Sequence, residues 1–325
     1  MARPILRRIA STFAVLAAVS VVIFAAVELL PGDAATRILG QNATPERLEA
    51  LREQLGLDRS AVSRYFSWIG GVLTGDLGTA ATTDRTVWDT IATPLRNTAI
   101  LASIAFVTIS AVAVAGGLLA GRKPGSRTDR TLSTAALGAV AVPDFVIGGL
   151  LMSVFAFGLG WVSSVSLVPL GGSPLDRPGI LILPVATATA TGGMFGLRLV
   201  RAVVAEASAR PYVESARLAG VAERTVLVKH LLPSVLGPIA QVLALLVPFL
   251  IGGTVVIERV FAYPGFGSLL VAQINARDVT VVSAMGLIMS AAVIVSFLFA
   301  DLLSGPGRLP GPQRFARLRR VRVRS

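Results

Sequence analysis

Apolar residues run for about twenty positions at a time in several parts of this chain, and a run of that length crosses a bilayer as a helix. The runs fall at about residues 9–30, 98–121, 131–160, 179–200, 236–258 and 281–303. Period-two alternation of the barrel kind is absent. The pattern therefore predicts an all-α, polytopic membrane protein with six transmembrane helices. The third run is the longest, and it leaves open a bend at Pro143 or a re-entrant end near Trp161. The fourth opens at Pro184 and continues as Ala-Thr-Ala-Thr-Ala-Thr-Gly-Gly over 186–193, small residues that let helices approach closely in lipid.

The polar stretches divide the rest. Residues 1–30 hold the N-terminus and first helix, 31–95 an extracytoplasmic segment, 96–303 the helical core with a polar loop at 201–235, and 304–325 a basic tail. In the extracytoplasmic segment, Thr44-Pro45-Glu46 reads as a helix start that runs to about Leu55 and stops at Gly56. Tyr65 to Leu73 reads as a second helix at the membrane interface, where Tyr65 and Trp68 are at home. This segment caps the bundle and carries no catalytic motif.

Charge changes the picture by its placement. The net charge is +12, with 15% of residues charged against 54% hydrophobic. Twenty of the 30 basic residues fall in the N-terminus, the loop 122–130, the loop 198–229 and the tail, all on one side of a six-span topology. That is positive-inside asymmetry, so both termini are expected in the cytoplasm of a multi-pass protein. The basic tail then faces anionic lipid, and nucleic-acid binding is set aside. The apolar stretch after Arg7-Arg8 exceeds a signal-peptide core and reads as a retained helix. Usage rich in Ala and Arg and poor in Lys points to a high-GC bacterium and its plasma membrane.

Candidate chemistry is sparse. The chain has no cysteine and one histidine, which excludes thiolate sites and multi-histidine metal sites. Neither Lys123 nor Lys229 follows a glycine, so no P-loop is present. His230 reads as a surface or interface residue. Asp144, beside Pro143, is the acid expected deepest in a span. It either lines a polar pathway or bonds amides freed at the proline. Glu258 and Arg259 should mark the end of the fifth span, since charge at mid-bilayer costs about 2.5–3.5 kcal/mol.

Two clusters stand out. In the first, Glu214-Ser215-Ala216 is followed by Gly220 and then by Leu232-Pro233. Its residue types suit a short helix that a partner approaches closely, ended by a left-handed glycine. The plainer alternative is an amphipathic cytoplasmic loop with a capping glycine. The second cluster, Glu258 to Asp278, holds Phe261, Pro264-Gly265, Gly267 and Arg277-Asp278, with a strong turn at Pro264-Gly265.

The first cluster resembles the EAA loop of ATP-binding-cassette importer permeases, with Ser215 for the first alanine and His230 where an apolar residue is general. The whole chain to about Leu303 resembles B-type permease subunits of the peptide/nickel group, in which a histidine near that position is usual. Leu30-Pro31-Gly32-Asp33, Gly56-Leu57-Asp58, Gly75-Asp76-Leu77-Gly78, Tyr212-Val213 and the Glu258–Asp278 cluster carry this likeness.

The resemblance implies a type I importer membrane domain of six helices with a cytoplasmic coupling helix. It implies a partner C-type permease subunit, two ATP-binding domains that hold ATP and magnesium, and an extracytoplasmic solute-binding protein; no cofactor binds this chain itself. Coupling would fall to Tyr212, Glu214, Ala216, Arg217, Ala219, Gly220, His230, Leu232 and Pro233. Arg217 and Arg224 would pair with acids on the ATPase, and Pro233 would start the next helix. Glu258, Phe261, Pro264, Gly265, Gly267, Arg277 and Asp278 would form an outer gate or binding-protein contact, or merely a turn that packs the bundle end. The cargo would be peptides, with nickel chelates or haem-like solutes as alternatives. The rivals are a gradient-driven transporter, a membrane scaffold or receptor and, more distantly, an intramembrane enzyme.

Overall fold

The computed structural model describes residues 2–29, 34–40, 44–54, 56–169 and 171–304. The Leu30-Pro31-Gly32-Asp33 motif and the basic tail after Ser304 lie outside the described residues. Each long apolar run is helical, as lipid requires, because a helix satisfies its own amides. Helices α1 (Ala2–Glu28), α2 (Ala34–Leu39), α3 (Pro45–Gln54) and α4 (Ala61–Thr74) precede the core. The core holds α5 (Val87–Gly121), α6 (Arg127–Ala141), α7 (Asp144–Leu151), α8 (Ile182–Ala188) and α9 (Met194–Ser208). It ends with α10 (Pro211–Leu218), α11 (Glu223–Thr225), α12 (Leu232–Val260), α13 (Phe266–Ala276) and α14 (Val279–Ser304).

Among the described residues, four continuous helical stretches are long and apolar enough to cross a membrane: Val87–Gly121, Pro178–Ser208, Glu223–Val260 and Val279–Phe299. The third expected span is instead two helices, Arg127–Ala141 and Asp144–Gly158, bent by 100°. The cause is Pro143, which forces Val142 out of helical geometry, to φ −97° and ψ 128°. The first expected span is α1, whose described apolar part is Ser11–Ala26.

Two spans begin well before their apolar cores. Helix α5 starts at Val87 because the Thr86 hydroxyl accepts the Asp89 amide at 3.1 Å. Helix α12 is preceded without a break by α11 and a π-helical turn, Val226–Leu231. Pro233 therefore does not start the helix, as expected from sequence; it sits inside a helical stretch that begins at Glu223. The widened π turn lies just ahead of the position where proline removes a donor.

The tightest packing is between α5 and α9. A Cβ on Gly117 would fall 2.5 Å from Val200 Cβ, and one on Gly121 would fall 2.7 Å from Val204 Cβ. In the other direction, Gly192, Gly193 and Gly196 receive Ile109, Val112 and Ala113. Partners advance four residues together on both helices, so the two run parallel with interdigitated ridges. A hydrogen bond between the hydroxyls of Thr108 on α5 and Thr189, in the π-helical turn Thr189–Gly193 that leads into α9, adds a polar tie at 2.7 Å. The remaining core side chains, among them Leu246, Leu250 and Ile257 of α12, close over this pair.

Outside the core, α4 is tied to α1 by side chains one turn apart. Ser20 meets the Tyr65 hydroxyl at 2.9 Å, Phe24 packs on Tyr65 and Trp68, and Glu28 pairs with Arg64. Val62, Phe66 and Leu73 of α4 remain exposed.

The glycine seam makes a direct prediction. Gly117→Val inserts two methyls and a methine against Val200 and is expected to cost about 1–3 kcal/mol. Thermal unfolding of the purified chain in detergent reads this, with Gly138→Val, which meets nothing within 4 Å, as the control.

Candidate functional site

Chemistry-bearing residues gather at the two ends of the bundle. At the expected cytoplasmic end, α9 stops at Ser208 and α10 follows after Ala209 and Arg210. Pro211 opens α10, where a missing N–H costs nothing. Gly220 closes it at φ +75°, with the Gly220 amide on the Arg217 carbonyl at 3.0 Å and the Val221 amide on the Ala216 carbonyl at 3.1 Å. This is the Schellman arrangement, and it realises the left-handed glycine read from the sequence.

Val213 is fully buried and anchors α10 on the bundle. Tyr212, Glu214, Ser215, Leu218, Ala219 and Gly220 are exposed, and Leu218 leaves 83% of its surface uncovered. A short helix thus offers a mixed face outward, with Tyr212 and Leu218 beside Glu214 and Ser215. His230 and Leu232 are half-buried and Pro233 is exposed, all beyond α10 on the following helical stretch.

Arg217 departs from expectation. Its guanidinium turns inward, not toward a partner. Nη2 donates to the Arg122 carbonyl at 2.9 Å, to Ser208 Oγ at 3.0 Å and to Glu223 Oε1 at 3.1 Å, while Nη1 donates to the Ser208 carbonyl at 3.3 Å. Arg224 is exposed, so of the two it alone is free to meet an outside acid by position.

A second anchor escaped the sequence reading. Asp129, at the start of α6, takes Arg201 of α9 in a two-pronged pair, 2.8 Å from Nε and 2.7 Å from Nη2. It also accepts the Gly125 amide at 2.8 Å and the Ser133 hydroxyl at 3.1 Å. The available signal was Ser126-x-x-Asp129, a helix-start spacing inside the basic loop.

At the other end, α12 closes at Val260, as expected from Glu258 and Arg259. Glu258 is fully buried. Its Oε2 accepts the Ser268 amide at 2.8 Å, so a residue ten positions back caps α13 in place of Gly265. Its Oε1 takes the Thr98 hydroxyl, and Thr98 Oγ1 in turn accepts the Phe266 amide at 2.7 Å. A Cβ on Gly265 would overlap the Glu258 carboxylate, and one on Gly267 would fall 2.7 Å from Val255 Cα. The glycines are there to admit the acid and the helix backbone.

Asn97 and Tyr263 complete this knot. Asn97 donates to the Pro264 carbonyl at 2.9 Å, and the Tyr263 hydroxyl donates to the Asn97 carbonyl at 2.7 Å. Burial, and then the Glu258 carboxylate, push the Tyr263 phenol above its ordinary range, so it remains a donor.

Arg277 ends α13 at φ +60°, and buried Asp278 starts α14 by accepting the Val281 amide at 3.2 Å. The Asp278 carboxylate also holds the Thr82 amide and hydroxyl, both at 3.2 Å, stitching the segment ahead of α5 to the bundle. Glu258, Phe261, Gly265, Gly267 and Asp278 are buried, which leaves Pro264 and Arg277 as the reachable members of this cluster.

Asp144 stands at the 100° break, half-exposed, at the first position of α7. The amides near the break are taken by the Pro143 carbonyl, at 3.0 Å from Val146 and 3.2 Å from Ile147. Asp144 is the acceptor of neither bond. Its Oδ2 lies 3.2 Å from where a Cβ on Gly253 of α12 would be.

Removing the Glu258 carboxylate strands the Ser268 amide and the Thr98 hydroxyl. Glu258→Ala is expected to lower stability by about 2–3 kcal/mol. Glu258→Gln, which keeps an acceptor, should recover most of the loss in thermal unfolding. A Gln variant as unstable as the Ala variant would show that capping is not the role of this acid.

The family described as binding-protein-dependent transport system inner membrane component matches residues 113–305, and the description of its N-terminal part matches residues 1–102. A protein of Brucella abortus named for a peptide transport system permease is 34% identical over 299 residues, covering 92% of this chain and 95% of its own. The glutathione transport system permease protein GsiC of Escherichia coli O6:H1 is 33% identical with the same coverage, and that of strain K12 is 32% identical. Members are transport subunits without an ATPase site of their own, which resides on partner subunits. With this match over nearly its whole length, the chain belongs to the peptide/nickel group of ATP-binding-cassette importer permeases, as a multi-pass, type I membrane domain.

Proposed function

We propose that this chain forms half of a translocation pathway for peptides and takes its driving force from ATP-binding subunits through α10. The observation that carries this reading is α10 itself. It is an exposed eight-residue helix, held at one end by Pro211 and at the other by Gly220, placed where the last long span before it ends. The second half of the pathway is a related C-type permease, and an extracytoplasmic binding protein delivers the solute. Two ATP-binding domains, which hold ATP and magnesium, seat α10 through Tyr212, Ser215, Ala216, Leu218 and Ala219. The distribution of basic residues supports cytoplasmic termini.

Peptide cargo is favoured by the relatives' names for peptide and glutathione transport. A nickel chelate or haem-like solute is the alternative. Asp144 supports a pathway role by its position at the broken span, since an exposed carboxylate at that depth needs water or a partner group. The outer cluster contributes to gating through the rigidity of its Glu258 knot, with Pro264 and Arg277 as its contacts for the binding protein.

Mechanically, closure of the ATP-binding domains on ATP moves α10, and α9 and α12 follow because the chain joins them to it at both ends. The pathway then alternates between its two openings.

An affinity pull-down of the tagged chain from gently solubilised membranes should recover a second six-span subunit and a Walker-motif ATPase. Recovery of the chain alone across several detergents would favour gradient-driven transport or a scaffold. Gly220→Trp and Ala216→Asp are expected to leave the chain inserted while solute-stimulated ATPase activity is lost. Gly220 has φ +75°, so a tryptophan there strains the turn that closes α10, although nothing lies within 4 Å of its Cβ. Normal stimulation in both variants would sink the coupling assignment. Asp144→Ala is expected to lower solute uptake while ATPase docking persists, as measured by uptake into proteoliposomes.

A further inference from the structure

We propose that Arg217 is a clamp that fastens α10 to the ends of α5 and α9, so that a push on α10 reaches both spans without loss. This deepens the coupling reading above and rests on it for the source of the push.

The last carbonyls of a helix have no partner within it. Arg217 takes two such groups at once, the Arg122 carbonyl after α5 and the Ser208 carbonyl that ends α9. Ser208, itself only 3% exposed, adds a cross-tie by donating its hydroxyl to the same Arg122 carbonyl at 2.9 Å. Glu223, just past α10, balances the charge from the far side at 3.1 Å. One guanidinium therefore joins four chain segments: the ends of α5 and α9, the body of α10, and the start of α11.

The chemistry suits arginine in particular. A planar fork reaches several acceptors in fixed directions, whereas a lysine ammonium is a single point. A cation is also favoured at the negative ends of two helices.

The geometry divides α10 by face. The outer side, with Tyr212, Ser215 and Leu218, is exposed among the described residues and is free to be pushed. On the inner side Val213 provides apolar seating and Arg217 the polar lock. Without the lock, α10 is held by the Val213 seat and by short links at 209–210 and 219–222, and has no polar tie to the ends of α5 and α9. The parallel seam continues the path, because α5 and α9 are packed glycine to side chain along their length. The Asp129–Arg201 pair adds α6 to the same body.

The chain contains no cysteine, so paired spin labels can be placed at will. Lys123→Cys with Ala222→Cys puts one label after α5 and one after α10, both on exposed positions. With Arg217 intact, a single narrow distance is expected that does not change between the nucleotide-free complex and the ATP-trapped complex. A distance that shifts or splits on ATP binding would overturn the clamp, and this arm does not depend on any Arg217 variant folding.

Arg217→Gln is expected to broaden that distance, to keep the ATPase subunits bound, and to cut solute transported per ATP by about tenfold, within the usual range of coupling energies. Arg217→Lys should recover only part of the ratio. Wild-type coupling in Arg217→Gln, or loss of the ATPase subunits from it, would overturn the proposal. If the unmodified chain recovers no ATPase subunit, the coupling reading fails. The distance measurement on the chain alone still decides whether Arg217 holds α10 in place.

Discussion

In lipid there is no water for apolar side chains to escape, so helices hold together only where their surfaces fit closely. The parallel seam of α5 and α9 is the place where this chain meets that constraint. Gly116, Gly117 and Gly121 on one helix and Gly192, Gly193 and Gly196 on the other let backbones approach until Val200, Val204 and Ala113 fill the space left. Other features hang from this seam. Asp129 and Arg201 bring α6 to it, Ser208 and Arg217 bring α10 to its end, and α12 covers its open flank. A rigid pair in the middle of the bundle is what a short exposed helix at one end requires if force is to travel.

The two ends of the bundle solve one problem differently. Each must satisfy helix termini where the chain turns sharply. At the α10 end, arginine donates to surplus carbonyls. At the α13 end, glutamate accepts surplus amides and threonine passes the bond onward. Both devices surround an ionisable side chain with hydrogen-bond partners, Glu258 fully buried and Arg217 half-buried, the condition under which polar groups leave water. The outer cluster therefore reads as a brace first. Its buried members cannot touch a binding protein, and Pro264 and Arg277 are what remains on the surface.

The sequence spoke clearly about topology and about residue types that leave little choice. Gly220 and Pro211 bound α10 because only a left-handed residue ends it so and only the first turn tolerates a proline. Pro143 announced a break, and Glu258 with Arg259 announced the end of a span. The sequence was silent on orientation. Arg217 sits in a motif that suggests an outward-facing contact, yet about half a turn of rotation about the helix axis decides between a partner's acid and the chain's own carbonyls. Pro233 looked like a helix start because a π turn that accommodates proline has no residue signature of its own.

What the sequence alone determined is the all-helical, multi-pass design and the membership carried by spaced motifs along the chain. These depend on composition and on local backbone preference, which neighbours in sequence settle. The tertiary structure decided which polar groups meet. Asp129 with Arg201, Glu258 with Thr98, Asp278 with Thr82 and Arg217 with Arg122 are each separated by tens of residues or more. Such pairs form because packing in lipid leaves few places where a charge can be satisfied, and those places exist only once the helices are together.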